Sequence, residues 1–137
     1  MISNMYEQAK AAITQVQQAK GWQDKYRVIM LLGKVVPELP AELKQDQHLV
    51  EGCESAAWLV ASQHNGYWSF QFDADARIIK GVVAMLLSSI EGKVSAEIQH
   101  HELINLFNSL GLSQGLSPSR SNGVHAVIEK VRDLTSA

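Results

Sequence analysis

The sequence predicts an α+β fold, in which several helices pack against a small antiparallel sheet of about three strands. The first observation behind this prediction is a turn signal, His64–Gly66, between two strand-like runs. The second is the helical spacing of apolar residues before and after that hairpin. A chain of 137 residues suits one core, so we expect a single domain over residues 1–137.

Two amphipathic helices are predicted before the hairpin. The second begins at Trp22 and must stop near Pro37, because proline disfavours helix in the residue before it. The segment that follows holds two prolines among mixed polar residues, and we interpret 37–48 as a loop with a turn of helix at Ala41–Gln45. The first helix spans about residues 4–20, and its apolar stripe is Met5, Ala9, Ala12, Ile13 and Val16.

The hairpin is the clearest local prediction. Ala56–Ala61 is a short, mostly apolar run, and Tyr67–Phe72 alternates between apolar and polar residues. The Asn65-Gly66 pair supplies the positive φ angles that a tight hairpin turn needs. The residues just before Ala56 therefore lie at one end of the sheet. Trp68, Phe70 and Phe72 share one face of the second strand.

Helices are predicted for most of the chain after the hairpin. Asp73 or Asp75 would cap the next helix and offset its positive end, an interpretation we prefer to an acid–base role. That helix, over about residues 78–90, is apolar around most of its circumference and should be the buried centre of the fold. One or two short helices follow over 95–110. Ser117–Pro118 begins the last helix, whose buried stripe is Val124, Val127, Ile128, Val131 and Leu134.

Composition excludes several classes of function. The formal net charge is −2, with no basic patch, which argues against nucleic acid as a partner. No apolar run approaches the ~18 residues of a membrane span. The polar first twenty residues lack the apolar core of a signal peptide. With one unpaired cysteine and no export signal, we expect a cytoplasmic protein with a reduced thiol.

Cys53 is the only cysteine in the chain. It cannot form an internal disulfide or fill a metal site alone, so any chemistry must be that of a single thiol, as a nucleophile or a covalent carrier. Gly52 before it frees the backbone for unusual dihedral angles and close approach by another molecule. Glu51, Glu54 and Ser55 make the setting polar. The alternative is an inert cysteine that packs as a small hydrophobe.

Other candidate groups are weaker. Among the five histidines, only His48 is close to Cys53 in sequence, as a thiolate–imidazole pair would need. His100–Glu102 resembles a metal cluster, but adjacent residues on a helix do not share a face, so we expect no metal site. Arg120 lies in a small, polar segment, Ser117–Gly123. It is either a surface arginine beside a helix cap or a cation that docks a partner or favours a thiolate.

Five segments in order resemble the SufE family of sulfur-acceptor proteins that work with cysteine desulfurases. The resemblance covers nearly the whole chain from Trp22 onwards, and Glu54 and Glu91–Lys93 look closer to its CsdE branch. Two departures are Ala74, where the family usually has serine, and the small Ala56-Ala57 pair. The segments are Trp22–Tyr26, Gly33-Lys34 with Pro37–Pro40, Val50–Ser55 with Trp58, Asp73–Ala76 running into Ile79–Gly81, and Leu116–Gly123.

The resemblance implies a persulfide relay. A desulfurase that carries pyridoxal phosphate (PLP) would hold sulfur as a persulfide, and Cys53 would accept it and pass it to an iron–sulfur scaffold or another acceptor. The chain itself would bind no cofactor and no metal. Asp75 and Arg120, with Gly52 and Glu51 beside the thiol, would serve partner binding or the environment of the thiol. Such a carrier is a co-substrate and activator of the desulfurase rather than a stand-alone enzyme.

Two other functions stay open. A cysteine hydrolase or transferase would need an oriented base and an oxyanion site beside Cys53, and the sequence marks neither. A binding module would contain Cys53 as an inert side chain.

Overall fold

The computed structural model describes residues 2–52 and 55–136, and these pack around one hydrophobic core. No helix in those ranges is both long enough and apolar enough to span a bilayer. Short 3₁₀ turns occur at Ala41–Leu43, Asp46–His48 and Ser95–Glu97. The helices and strands are α1 (Ile2–Gln18), α2 (Trp22–Val35), β1 (Ala57–His64), β2 (Tyr67–Ala74), α3 (Arg77–Ser88), α4 (His100–Ser109) and α5 (Pro118–Thr135).

The hairpin of β1 and β2 confirms the strand predictions. The strands are antiparallel, with a register from Ala57 opposite Ala74 to His64 opposite Tyr67. The turn has Asn65 at φ 52° and Gly66 at φ 87°, the positive angles that an Asn-Gly hairpin supplies. The α+β class is confirmed, but the described sheet has two strands rather than about three. Leu49 and Val94 each add only a single bridge to this sheet, to Trp58 and Tyr67 respectively.

Helix α3 is the buried centre of the fold, as its apolar sequence predicts. Ten of its residues are buried, and α2 crosses it at very short range. A Cβ at Gly81 would overlap the backbone of Ile29, and one at Gly33 would overlap the backbone carbonyl of Arg77. The two glycines therefore let the backbones of α2 and α3 approach closely, which brings Lys80 of α3 towards the end of β2.

Lys25 ties the ends of two helices together. Its Nζ donates to the carbonyl of Val16, near the end of α1, at 2.7 Å, and to the carbonyl of Leu110, after α4, at 2.8 Å. Carbonyls in the last turn of a helix lack intrahelical donors, and a cation there also offsets the negative end of the helix. This contact gives a structural reason for lysine in the segment Trp22–Tyr26.

The outer edge of β2 is closed by side chains and by the turn after α3. The Glu91 carboxylate accepts the Phe70 N–H at 2.9 Å and the Ser69 hydroxyl at 2.8 Å. The hydroxyl of Tyr6 in α1 donates to the Phe70 carbonyl at 2.7 Å. Burial raises the pKa of Tyr6 well above its ordinary value, and the negative charge of Glu91 adds to that rise.

Helix α5 begins as predicted and ends with one difference. Ser117 Oγ accepts the N–H of Arg120 at 3.3 Å, and Pro118 stands in the first turn. Leu134, predicted in the buried stripe, is 38% exposed. Thr135 is buried instead, because its hydroxyl donates to the Val131 carbonyl one turn back and so needs no water.

Candidate functional site

The predicted thiol lies in the segment between the 3₁₀ turn at Asp46–His48 and strand β1. Cys53 and Glu54 themselves lie outside the described residues. We call residues 50–57 the Cys53 loop, and its described flanks are Val50–Gly52 and Ser55–Ala57. Glu51 and Gly52 form an exposed turn, and Ser55 is exposed. The structure therefore defines how the chain enters and leaves the loop.

The loop closes on itself at its base. The N–H of Val50 donates to the Ala57 carbonyl at 2.8 Å, so the residues on either side of the loop are hydrogen-bonded. One residue further out, Leu49 bridges to Trp58. The N–H of Asp75, just after β2, donates to the Ala56 carbonyl at 3.0 Å. These backbone contacts, which we call the loop base, attach the loop to the end of the hairpin.

Helix α5 supports the entry side of the same base. Lys130 Nζ donates to the Leu49 carbonyl at 3.1 Å and to the Gln47 carbonyl at 3.4 Å. Gly52 packs near this helix, since a Cβ there would lie 3.5 Å from the Cβ of Ala126, an ordinary contact. Gly52 has φ +91°, a conformation that glycine adopts without strain. The predicted unusual dihedral angle at Gly52 is therefore confirmed, and glycine is favoured there by the positive φ rather than by lack of space. Close approach by another molecule stays a prediction.

Asp73 lies at the centre of a polar cluster beside the loop base. Its carboxylate accepts the N–H groups of Leu39 and Ala74, both at 2.9 Å. Lys44 and Lys80 place their Nζ atoms 3.3 Å from its two oxygens. We call these five residues the Asp73 junction. Asp73 is only 3% exposed, so the two N–H groups and the two ammonium groups take the place of the water that the carboxylate loses on burial.

The junction corrects the predicted role of the two aspartates as helix caps. Helix α3 begins at Arg77, and its N-cap is Ala76, without a side-chain cap. Burial disfavours ionisation of Asp73, but the N–H of Leu39 and the charge of Lys80 outweigh it, so its pKa lies below the usual value. Asp73 therefore stays ionised at neutral pH. A carboxylate paired in this way serves as an anchor, not as a proton donor.

The other predicted site residues are distributed around the loop. Glu51 is exposed in the loop itself, and Asp75 is exposed while its N–H holds the loop base. Arg120 is exposed in the first turn of α5, six residues before Ala126, which is about 9 Å along a helix axis. The structure thus brings Gly52 and Asp75 to the loop base, and places Arg120 on the helix that supports it.

Two histidines and two clefts among the described residues lie outside the loop base. His48 is half-buried in its 3₁₀ turn, and His100 Nε2 lies 2.8 Å from a carboxylate oxygen of Glu129. Among residues 2–52 and 55–136, no three histidine, aspartate or glutamate side chains are grouped to hold a metal ion. Two described clefts, of about 650 and about 400 Å³, lie between α1 and α2 and between α4 and α5, away from the loop base.

The fold and the loop base define an α+β protein with an exposed turn that leads into its single cysteine. The same fold occurs in the solution structure of a hypothetical protein from Thermus thermophilus. The TM-score is 0.70 at 17% identity, over 93% of each chain. The family model "SufE: Fe-S metabolism associated domain" matches residues 10–135. The chain belongs to the SufE family.

Two relatives refine this assignment. The sulfur acceptor protein CsdE of Escherichia coli K12 is 43% identical over 111 residues, which are 80% of this chain and 76% of that protein. An uncharacterized SufE-like protein of Rhizobium etli is 37% identical over 116 residues, 82% of this chain and 78% of that one. The similarity to CsdE confirms the predicted CsdE branch.

Sequence reasoning missed one part of this region. The sequence predicts a cap or an acid–base group at Asp73, and it predicts no role for the Lys44 side chain. The one available signal was an acidic residue directly after an apolar strand pattern, at a position where a half-buried strand should end. That signal does not identify the groups that bind the carboxylate, because Leu39 is 34 residues away in the chain.

Proposed function

We propose that this chain is a sulfur acceptor that uses Cys53 to take sulfur from a PLP-dependent cysteine desulfurase. The observation that carries the proposal is the single thiol: an acceptor that holds sulfur as a persulfide needs a cysteine, and the sequence offers only Cys53. Family membership over residues 10–135 and the similarity to a named sulfur acceptor support it.

The transfer step is a thiol exchange. The Cys53 thiolate, formed by loss of its proton to a base, attacks the outer sulfur of the donor persulfide. A bond forms between Cys53 Sγ and that sulfur, the sulfur–sulfur bond of the donor breaks, and the donor cysteine leaves as a thiolate that takes up a proton. No net oxidation or reduction occurs. Because only a few per cent of an ordinary thiol is ionised at neutral pH, the docked desulfurase must favour the thiolate.

The residues around the loop have matching roles in this proposal. Gly52, with its positive φ, allows the turn that leads into Cys53. Arg120 and Asp75 are exposed on the two elements beside the loop base, where a docked desulfurase can reach them, and Glu51 is exposed in the turn itself. The carrier unloads its sulfur to an iron–sulfur scaffold or another acceptor, stimulates the desulfurase by removing its persulfide, and works in the reducing cytoplasm.

Intact mass tests the proposal. Wild type and Cys53→Ser are each incubated with a PLP-dependent cysteine desulfurase and L-cysteine, without reductant. Wild type alone should gain the mass of one sulfur atom, and added thiol should remove it. If wild type gains no sulfur beside an active cognate desulfurase, the family membership reflects fold alone and a binding module becomes the better description. Acylation of Cys53 by a small ester without a partner would instead favour the hydrolase.

A further inference from the structure

We propose that Asp73 is a positioning residue, which holds the Cys53 loop in the orientation required for sulfur transfer. This inference rests on the function proposed above. The hydrogen bonds and ion pairs of the Asp73 carboxylate go to Leu39, Ala74, Lys44 and Lys80, which lie outside the loop, so its effect must pass through the segments that enter and leave the loop. Those segments are 39–50 before the loop and β1 after it.

The entry segment is held by two contacts to one carboxylate. Asp73 Oδ2 accepts the Leu39 N–H at 2.9 Å and lies 3.3 Å from Lys44 Nζ. Between Leu39 and the loop, residues 41–48 contain only two short 3₁₀ turns. Short 3₁₀ turns are weak elements by themselves, so the position of this segment depends on its tertiary contacts. Asp73 supplies two of them at the start of the segment, and Lys130 supplies two at its end.

The exit strand is held through Trp58. Asp73 stands opposite Trp58 in the ladder of β1 and β2. Lys44 Nζ, which pairs with Asp73, also lies 5.1 Å from the centre of the Trp58 ring, within the range of a cation–π contact. Trp58 follows Ala57, whose carbonyl closes the loop, and bridges to Leu49 on the entry side. One carboxylate and one ammonium group therefore fix both sides of the loop base.

Lys80 fixes this arrangement to the core. Its Nζ lies 3.3 Å from Asp73 Oδ1, its side chain is 13% exposed, and it belongs to the buried helix α3. Buried ion pairs are often no more stabilising than apolar side chains of similar volume, because the charges lose their hydration. Hydrogen bonds and ion pairs do, however, specify direction. The junction is therefore better explained as a device for orientation than as a source of stability.

Orientation matters for the transfer step. The attacking thiolate must approach the donor sulfur–sulfur bond along its axis, and a misplacement of ~1 Å can cost about 100-fold in rate. Without the junction, the entry segment and Trp58 lose their common anchor, and the loop samples more positions. The saturating rate of sulfur transfer should then fall. The half-saturating carrier concentration should stay nearly constant, because the exposed surfaces on α5 are unchanged.

The test measures sulfur transfer from a persulfide-loaded cysteine desulfurase to excess full-length carrier, by intact mass of both proteins. The variants are Asp73→Asn and Lys44→Met, with Lys44→Arg as a conservative rescue. Tyr6→Phe is the matched control, because it removes a buried hydrogen bond on the same strand, far from the loop. Asp73→Asn and Lys44→Met should lower the saturating rate about tenfold, with less than a twofold change in half-saturation. Tyr6→Phe and Lys44→Arg should match wild type.

The outcomes separate this inference from the proposed function. If wild type accepts sulfur and both junction variants transfer at the wild-type rate, Asp73 is not a positioning residue. A rise in half-saturation alone would also overturn the inference, because a partly unfolded carrier only lowers the competent concentration. If wild type itself accepts no sulfur, the proposed function fails, and this inference fails with it. Should Asp73→Asn not fold, Lys44→Met decides, since the Lys44 side chain is 34% exposed.

Discussion

The two ends of β2 are held by the same kind of contact in different electrostatic settings. Near the hairpin turn, the half-exposed Glu91 carboxylate accepts the Phe70 N–H and pairs with no described cation. At the other end, the buried Asp73 carboxylate accepts the Leu39 N–H and lies between Lys44 and Lys80. Burial raises the pKa of neighbouring Tyr6 and the charge of Glu91 adds to that rise, whereas the pKa of Asp73 is itself lowered.

The contrast shows that the contacts of a carboxylate, rather than its residue type, determine its role. Glu91 belongs to the turn after α3, in which the Lys93 carbonyl also accepts the N–H of Trp68 in β2. It therefore closes the edge of the strand from an adjacent turn. Asp73 instead joins segments that are remote in sequence, beside the loop that carries the only cysteine. Four measurements test whether the two carboxylates differ in this way.

Asp73→Ala should cost about 3 kcal/mol of folding free energy, because removing one member of a buried ion pair leaves the other charges without partners. Two N–H groups also lose their acceptor. Urea unfolding at pH 7 measures the loss. Glu91→Ala is the matched variant at the other end and should cost about 1 kcal/mol. Equal losses would show that the two ends are energetically alike.

Acid should remove the folding stability that wild type gains from aspartate rather than asparagine at position 73. Its pKa is lowered in the folded state, so its contribution is present above the unfolded value of ~3.9 and is lost as pH falls through the folded value. The stability difference between wild type and Asp73→Asn should be constant from pH 7 to about 5, and should shrink only below about pH 4. A difference that already shrinks near pH 6 would contradict the assignment to this carboxylate.

Alkaline pH should lower stability at the other end of β2, by favouring ionisation of the Tyr6 hydroxyl. Its pKa is raised in the folded state, so the stability it contributes is complete below the unfolded value of ~10 and is lost as pH rises above it. The loss approaches ~1.4 kcal/mol per pH unit for one proton. Urea unfolding between pH 9 and 11 should show a steeper decline for wild type than for Tyr6→Phe, which keeps the other tyrosines. Parallel curves would contradict burial of the Tyr6 hydroxyl.

Glu91→Gln should have the smallest effect, less than about 1 kcal/mol at pH 7. Glutamine keeps a carbonyl oxygen for the Phe70 N–H, and no described cation loses its partner. Asp73→Asn keeps one oxygen in the same way, but leaves two ammonium groups without a counter-charge. A direct comparison of the two amide variants in urea isolates the contribution of charge. If Glu91→Gln is the more damaging, the contrast between the two ends is wrong.

Local chemistry in the sequence predicted the elements of the fold well. Asn65-Gly66 sets the hairpin because its φ angles are a property of those two residues, and Ser117-Pro118 begins α5 for the same reason. About three strands were predicted, but the described sheet has two, because Leu49 and Val94 each add only a single bridge to it. Leu134 is exposed where burial was predicted, and Thr135 is buried because its hydroxyl donates to the Val131 carbonyl of the helix backbone.

The candidate site was predictable only in part. Cys53 follows from being the single thiol and from the family segments, and its role stays a prediction. Asp75 and Arg120 were chosen by resemblance, and the structure places one at the loop base and the other on the supporting helix. The Asp73 junction could not be predicted, because a strand-end aspartate and a helix cap look alike until Leu39 and Lys44 are seen to meet the carboxylate.

The hydrogen bond from Tyr6 to Phe70 also determines how late in synthesis of the chain α1 can complete its native contacts. Its two residues are 64 positions apart, and α1 packs against α3, which is made later still. A ribosome adding ~5–20 residues per second needs roughly 3–13 s to make that intervening chain. During those seconds the apolar stripe of α1 can pack against α2 but not yet against α3. The first helix to be made is therefore only partly buried until α3 has been synthesised, and chaperones have that time to bind its uncovered apolar residues.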